Sequence, residues 1–353
     1  NGWERANWFA LPGDDTSEAA TQTWDRAGPW EARIREECEA VRDACGVLDL
    51  PGFTRLWIEG AGADDWLRGF VTGGLPKVGR MNLVYVADTR GRIVTEFSCI
   101  RLKEDSFVLI TAATAQWHDG ELVRKALPEG LSLRETTTER DALLLAGPKS
   151  REVLAGLTDA DLSLPWLSHQ HATVAGQNAF LARVSFTGEL GWEIHAENAA
   201  IPAIYEALMA AGVKPFGMFA LNSLRIEKGY RAWKGDLSTD YSMLEGGLDR
   251  FVKQDKAALL AEKQRGVKKR FVTLIVEAKA ADAPYMSTLW HEGKIVGETT
   301  SGAWGYRVNA SVALGMLRAD LAVPGTEIEV EIYGERCRAV VQPDAPLWDP
   351  ENE

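Results

Sequence analysis

Beyond the basic run at residues 268–270 the pattern of the sequence changes. Six short apolar stretches follow, at 271–276, 287–290, 294–299, 311–317, 327–333 and 336–342. Pro284, Gly293, Gly302, Pro324, Gly325 and Gly334 punctuate them. Short strands at this spacing, with turn residues between them, predict a small all-β barrel or sandwich. This segment constrains the fold most, because everything before it mixes two periods.

In the preceding part, apolar residues recur at helical spacing in some stretches and alternate in others. A helix is predicted over 29–45, with Pro29 in its first turn and Gly46 at its end, and with Ile34, Cys38, Val41 and Cys45 on one stripe. Further helices are predicted at 62–70, 113–127, from Pro148, and at 199–211 and 217–228. Strands are predicted at 53–59, 82–87, 92–102, 106–111, 131–136, 141–146, 178–187 and 191–195. Residues 229–247 show little periodicity. The chain therefore reads as α+β. Residues 1–28 form an arm or linker that docks by Trp3, Trp8 and Phe9, 29–267 form the body, and 268–353 form a C-terminal β module.

Length and charge narrow the function classes. The 353 residues suit two or three domains, and the 46% hydrophobic and 25% charged content is that of a globular protein. With 39 Lys and Arg against 51 Asp and Glu, the net charge of −12 argues against nucleic-acid partners and against a polybasic membrane anchor. No apolar run approaches the ~20 residues of a membrane helix. Cys38, Cys45, Cys99 and Cys337 contain no C-x-x-C pair, which points to a reducing compartment: cytoplasm, or the mitochondrial matrix in a eukaryote. The histidines are scattered, with only His169 and His171 close together in a polar, loop-like stretch, so no metal site is expected. His195, at a strand end, reads as structural. Phosphate loops, H-E-x-x-H, G-x-S-x-G and the dinucleotide fingerprint G-x-G-x-x-G are all missing.

The carboxylates carry more information. Glu96 sits mid-strand in GRIVTEFSCIRL and shares one face with Val94 and Ser98. It is either an edge or solvent-facing charge or a carboxylate aimed into a cavity. Glu189 and Glu193 lie four apart in TGELGWE, Glu189 in the turn and Glu193 beside Trp192 on the outgoing strand. A carboxylate beside aromatics suits a planar heterocycle that offers two parallel donors. RIEKGYRAWKGD (225–236) interleaves Arg225, Arg231 and Lys234 with Tyr230 and Trp233, which fits either a flat anionic ligand or a solvated loop. SGAWGY (301–306) adds Trp304 and Tyr306 near a glycine-rich turn.

Taken together, the motifs GWERANWF (2–9), EECEAVRDACGVLDLPGFTRLWIEG (36–60), GRIVTEFSCIRL (91–102), LLAGPKSREVL (144–154), SFTGELGWEIH (185–195), ALNSLRIEKGYRAWKGDL (220–237), FVKQDK (251–256) and TTSGAWGY (299–306) span nearly the whole chain. In this order they resemble the folate-binding aminomethyltransferase superfamily typified by the glycine cleavage T-protein. They come closest to the C-terminal folate half of dimethylglycine and sarcosine dehydrogenases. The resemblance implies a three-module cloverleaf, the third leaf being the small β-barrel, with tetrahydrofolate in a central opening. It implies capture of the methylene of an oxidised N-methyl amine as 5,10-methylenetetrahydrofolate. FAD would belong to an upstream domain or a partner flavoprotein subunit.

By the same resemblance, the family's key aspartate falls on Glu96, the catalytic candidate, and its pterin-binding glutamate on Glu193. Phe186, Tyr230, Trp233, Tyr85, Trp304 and Arg225 are implied around the folate, with Arg231, Lys234 and Lys253 as further cations. Three positions depart from the T-protein pattern: Glu for Asp at 96, Phe for Tyr at 186, and Leu221 where that branch carries Arg. Leu221 agrees with the dehydrogenase branch and makes lipoyl-protein chemistry less expected. A stand-alone tetrahydrofolate-dependent demethylase and a non-catalytic folate-binding protein are the alternatives.

Overall fold

The structure, a computed structural model, describes residues 8–50, 52–252 and 257–350. Trp3 and Lys253 lie outside the described residues. The strands are β1 (Gly46–Asp49), β2 (Phe53–Glu59), β3 (Arg80–Ala87), β4 (Ile93–Lys103), β5 (Ser106–Ala112), β6 (Ser132–Glu135), β7 (Arg140–Ala146), β8 (His169–Val174), β9 (Gln177–Ala182), β10 (Gly191–Glu197), β11 (Lys214–Pro215), β12 (Lys269–Val276), β13 (Thr288–His291), β14 (Lys294–Gly305), β15 (Ala310–Arg318), β16 (Glu327–Ile332) and β17 (Glu335–Val341).

They form three sheets. One has the order β11-β1-β7-β10-β9-β8, and another has the order β3-β4-β5-β2-β6. The third is a closed barrel, β12-β15-β14-β13-β16-β17, so the sandwich alternative is excluded. The chain starts the six-stranded sheet with β1, builds the whole five-stranded sheet, then returns at β7. The first two leaves are thus interlaced in sequence.

Each leaf has its own apolar core. Leu56, Leu67, Phe97, Phe107 and Leu109 fill the five-stranded leaf, Leu143, Leu145, Trp192 and Ile194 the six-stranded leaf, and Leu274, Leu289, Ala313 and Val330 the barrel. β7 is buried at every position from Ala142 to Ala146, which is why its sequence is a continuous apolar run. Between the leaves lie seams. Met81, Ile100, Val108 and Ile110 of the five-stranded sheet meet Phe180 and Ala182 of the six-stranded one. Ile226 and Tyr241 meet Phe271, Val312 and Leu314 of the barrel.

Several expectations need correcting. The helix expected over 29–45 runs Glu31–Asp43, after a short unanticipated helix at Glu18–Thr21, so Cys45 falls beyond it and packs in a different core from Cys38 and Val41. His169 and His171 are on β8, not in a loop, and His169 Nε2 bonds the Arg101 carbonyl. The run 178–187 is broken, because the strand stops at Ala182. β1 and the helix Ala257–Arg265 were not anticipated. The arm docks through Trp24 on Tyr333 and Arg26 on Asp282 rather than through Phe9, which is 80% exposed; Trp8 packs against Trp30. Among the described residues no helix is long and apolar enough to cross a membrane.

Candidate active site

Strand geometry brings the two singled-out carboxylates face to face. Glu96 lies on β4, an inner strand between β3 and β5, so it is not an edge charge. Ser98 and Ile100 share its face, and Arg55 joins that face through the register Ser98–Ile110–Arg55. Glu193 lies on β10, between β7 and β9, opposite Ala182, with His195 opposite Phe180. Ile100 and Ile110 pack on Phe180 and Ala182. The sheet faces carrying Glu96 and Glu193 are therefore the two that close on each other.

Protein atoms surround Glu96, although it keeps some accessible surface. Burial pushes its carboxyl up to about 7, and the Tyr85 hydroxyl and the Arg231 charge only partly counter this. Tyr85 is its register partner on β3. Burial and then the Glu96 charge hold the Tyr85 hydroxyl well above its usual range, so it remains a donor. Tyr85 packs in one cluster with Trp233, and Phe251 lies against its ring at 5.3 Å. Trp233 is 9% exposed, and its indole Nε1–H has no acceptor among the described residues. A buried orphan donor of this kind normally meets a partner.

Glu193 is 23% exposed, and the one hydrogen bond to it among the described residues comes from His195 Nε2, at 3.0 Å. Glu189, four residues earlier, has the opposite fate. A chain of hydroxyl bonds, Ser185 to Thr187 and Thr187 to the Glu189 amide, turns it inward. There Arg307 and Trp348 Nε1 take its carboxylate. Gly191 must be glycine for this turn to fold back over β10, since a Cβ there would lie 2.8 Å from that of Ser185.

The helix Met218–Glu227 presents the aromatic segment. It ends in a Schellman motif: Gly229, at φ 72°, donates to the Ile226 carbonyl, and Tyr230 N–H donates to Arg225 O. The chain then reverses, and Tyr230 lies parallel to Phe186, with centroids 5.7 Å apart and planes at 11°. Arg225 does not reach a ligand position. All five of its donors are taken, by Asn222, the Tyr230 carbonyl, Asp236 and Ser301. It clamps the 230–236 loop from behind. Trp304 is also elsewhere, on β14 with Arg26 of the arm over its ring at 4.0 Å.

A cleft of about 480 Å³ opens between the six-stranded leaf and the barrel, with Ser185, Gly191, Tyr230, Arg231, Phe271 and Thr273 in its wall; Glu96, Glu193, Tyr85, Phe186 and Trp233 are not among its lining residues. Arg183, Lys228, Arg231 and Arg250 give it cations, with Glu189, Asp344 and Asp349 as the acids. Arg231 ties it to Glu96, whose charge it offsets. Sequence reasoning named Arg231 but missed Arg183 and Arg250, which sit outside any aromatic-rich stretch. It also missed Arg55, buried to 3% with Nε and Nη2 lacking acceptors among the described residues. Lys234 instead sits over the Trp233 ring at 4.9 Å.

Two family models cover the chain: "GCVT N-terminal domain" over residues 1–256 and "Glycine cleavage T-protein C-terminal barrel domain" over 269–349. The chain belongs to the glycine cleavage T-protein family. Mitochondrial dimethylglycine dehydrogenase of Rattus norvegicus is 33% identical over 99% of this chain, but over 42% of its own length. The chain thus spans about two fifths of the dimethylglycine dehydrogenases it matches. An aminomethyltransferase of Synechococcus sp. is 31% identical over 90% of the chain and 91% of its own length. Among solved structures, the glycine cleavage system aminomethyltransferase T of Bartonella henselae superposes with TM-score 0.81 at 25% identity, covering 90% of each chain. Membership of this family and the closed barrel account for the three-leaf architecture.

Proposed function

We propose that this T-protein family member performs tetrahydrofolate-dependent one-carbon transfer, as the folate half of a flavin-dependent enzyme system that demethylates an N-methyl amine. The observation that carries the reading is that Glu96 and Glu193 lie on the two sheet faces that pack on each other. The orphan donor of Trp233 and the aromatic pair Phe186–Tyr230 fit a flat, polar heterocycle. When bound, tetrahydrofolate supplies the nucleophilic nitrogens that take up a one-carbon unit. Glu193 then anchors the ring by accepting its donors. Glu96, with a carboxyl near 7, exists in both protonation states at neutral pH and takes up or returns a proton as charge develops. The Tyr85 hydroxyl orients it. The cleft cations receive the carboxylates of the folate tail locally, since a −12 chain does not draw anions by its overall field.

The dehydrogenase branch is favoured over lipoyl-protein chemistry because Leu221 is 6% exposed within an apolar cluster, which leaves no cation at that position. The iminium donor, and the FAD that makes it, would come from an upstream domain or partner subunit. Anaerobic calorimetry should show one tetrahydrofolate bound per chain. Glu96→Ala should bind it, yet lose the acceleration of 5,10-methylenetetrahydrofolate formation from formaldehyde over the uncatalysed background. Normal transfer by Glu96→Ala would remove Glu96 from its role. Flavin absorbance in the protein isolated from its source tests the dehydrogenase half of the reading.

A further inference from the structure

We infer that His195 is a positioning residue: it fixes the Glu193 carboxylate in the orientation that receives the ligand. This rests on the proposed role of Glu193. The two residues are i and i+2 on β10, so they project from the same face about two residue rises apart. His195 Nε2 meets Glu193 Oε2 at 3.0 Å. For that contact to be attractive to a carboxylate, Nε2 carries the proton, which settles the tautomer whenever Glu193 is ionised. The imidazole itself has little freedom. It is 8% exposed as a side chain and stands edge-on to Phe180, with centroids 5.8 Å apart at 70°.

Among the described residues, the sheet around this pair supplies charge but no second hydrogen bond to Glu193. Arg55, from β2, faces Glu193 electrostatically, and its Nη1 is pinned by the Phe53 and Arg140 carbonyls. Its Nη2 is 4.0 Å from Asp141 on β7, and Asp141 in turn feels His195. Arg140 and His171 line one small pocket together with His195. A glutamate has three rotatable bonds, and its carboxylate must present a fixed edge to two donors. One oxygen tied to His195 leaves the other free and fixes the plane. Without the tie, ligand binding must order the side chain itself, at a cost of affinity.

The test is a double-mutant cycle on the full chain. Tetrahydrofolate binding is measured by calorimetry under anaerobic conditions for the unaltered chain, His195→Leu, Glu193→Gln and the double variant, with Tm recorded for each. His195→Leu should weaken binding about tenfold, which is what loss of a charge-assisted hydrogen bond of about 1.4 kcal/mol produces. In the Glu193→Gln background the same change should cost under about twofold, because the carboxylate it positions is gone. His195→Gln keeps an N–H within reach and should recover most of the affinity. Should His195→Leu prove unfolded by its Tm, His195→Asn, too short to reach Glu193, takes its place. Equal binding by the unaltered chain and His195→Leu, or additive losses in the double variant, overturns the inference. Failure of the unaltered chain to bind tetrahydrofolate overturns the functional reading and this inference with it.

Discussion

Two sets of buried acids in this chain have opposite surroundings. Around Arg307, Glu227 and Glu189 accept every strong donor they meet. Arg307 pairs with both, reaches the Thr187 and Leu224 carbonyls, and is 1% exposed against carboxylates at 0% and 3%. Trp348 and the Arg307 and Val308 amides complete the knot. Glu96 and Glu193 are only partly buried, and among the described residues Tyr85 and His195 are their hydrogen-bonding neighbours. A buried carboxylate is tolerated only when paired, neutralised or waiting for a ligand. The knot is the paired case; Glu96 is held toward its neutral form by burial, and Glu193 is partly exposed and bonded to His195.

The largest expected effect is on the knot. Arg307→Leu removes the one cation shared by two buried acids, and breaking such a pair costs about 3–5 kcal/mol. Urea unfolding should show this as a lower midpoint, together with loosening of the barrel from the body. A change below about 1 kcal/mol would mean that the knot is not structural and that the contrast with the facing acids is false. Glu193→Gln, by comparison, should leave unfolding within about 1 kcal/mol of the unaltered chain, because Arg55, the buried cation that feels its charge, keeps the Phe53 and Arg140 carbonyls and Asp141.

Glu96→Gln sharpens the contrast through pH. Burial raises the folded carboxyl to about 7 from its ordinary 4.5. The folded state therefore binds the proton more tightly than the unfolded chain, and stability falls as pH rises from about 4.5 to 7, then levels. Glu96→Gln removes that slope. Above pH 7 it should be more stable than the unaltered chain by about 3 kcal/mol, and near pH 4 there should be no gain. Thermal unfolding across pH 4–8 checks this, and parallel pH curves for the two proteins would show that Glu96 is solvated like a surface acid.

Much of the architecture was legible because periodicity survives where one face is buried. Most barrel strands, β2 and the helix Ala63–Phe70 follow their patterns closely, but β14 runs on through Gly302, expected as a break, to Gly305. β8 was not legible, because HQHATV alternates polar groups that satisfy themselves against neighbouring backbone, as His169 does on Arg101. At the site, the motif picks out Glu189 and Glu193 together but cannot separate their roles. The distinguishing partner, Arg307, is 118 residues beyond Glu189. Arg225 misleads for the same reason: a cation among aromatics reads as a ligand contact until Asp236 and Ser301, 11 and 76 residues on, are seen to occupy it.

The smallest effects separate the two tryptophans placed near the folate by resemblance. Trp233 keeps its ring in the Tyr85 cluster and offers an unaccepted N–H, so Trp233→Phe, which retains the ring and deletes the donor, should weaken tetrahydrofolate binding by about two- to tenfold, the range of one net hydrogen bond. Trp304 has its ring beneath Arg26 and its carbonyl on Ser223, so its side chain contacts the arm rather than the cleft. Trp304→Phe keeps a face for the guanidinium and should leave binding unchanged. The arm itself supplies the control: Arg26 is held by Asp282 through two hydrogen bonds, so the covering persists when the ring shrinks. If Trp304→Phe weakened binding more than Trp233→Phe, the ligand would lie on the arm side of the barrel, and the facing acids would be structural after all.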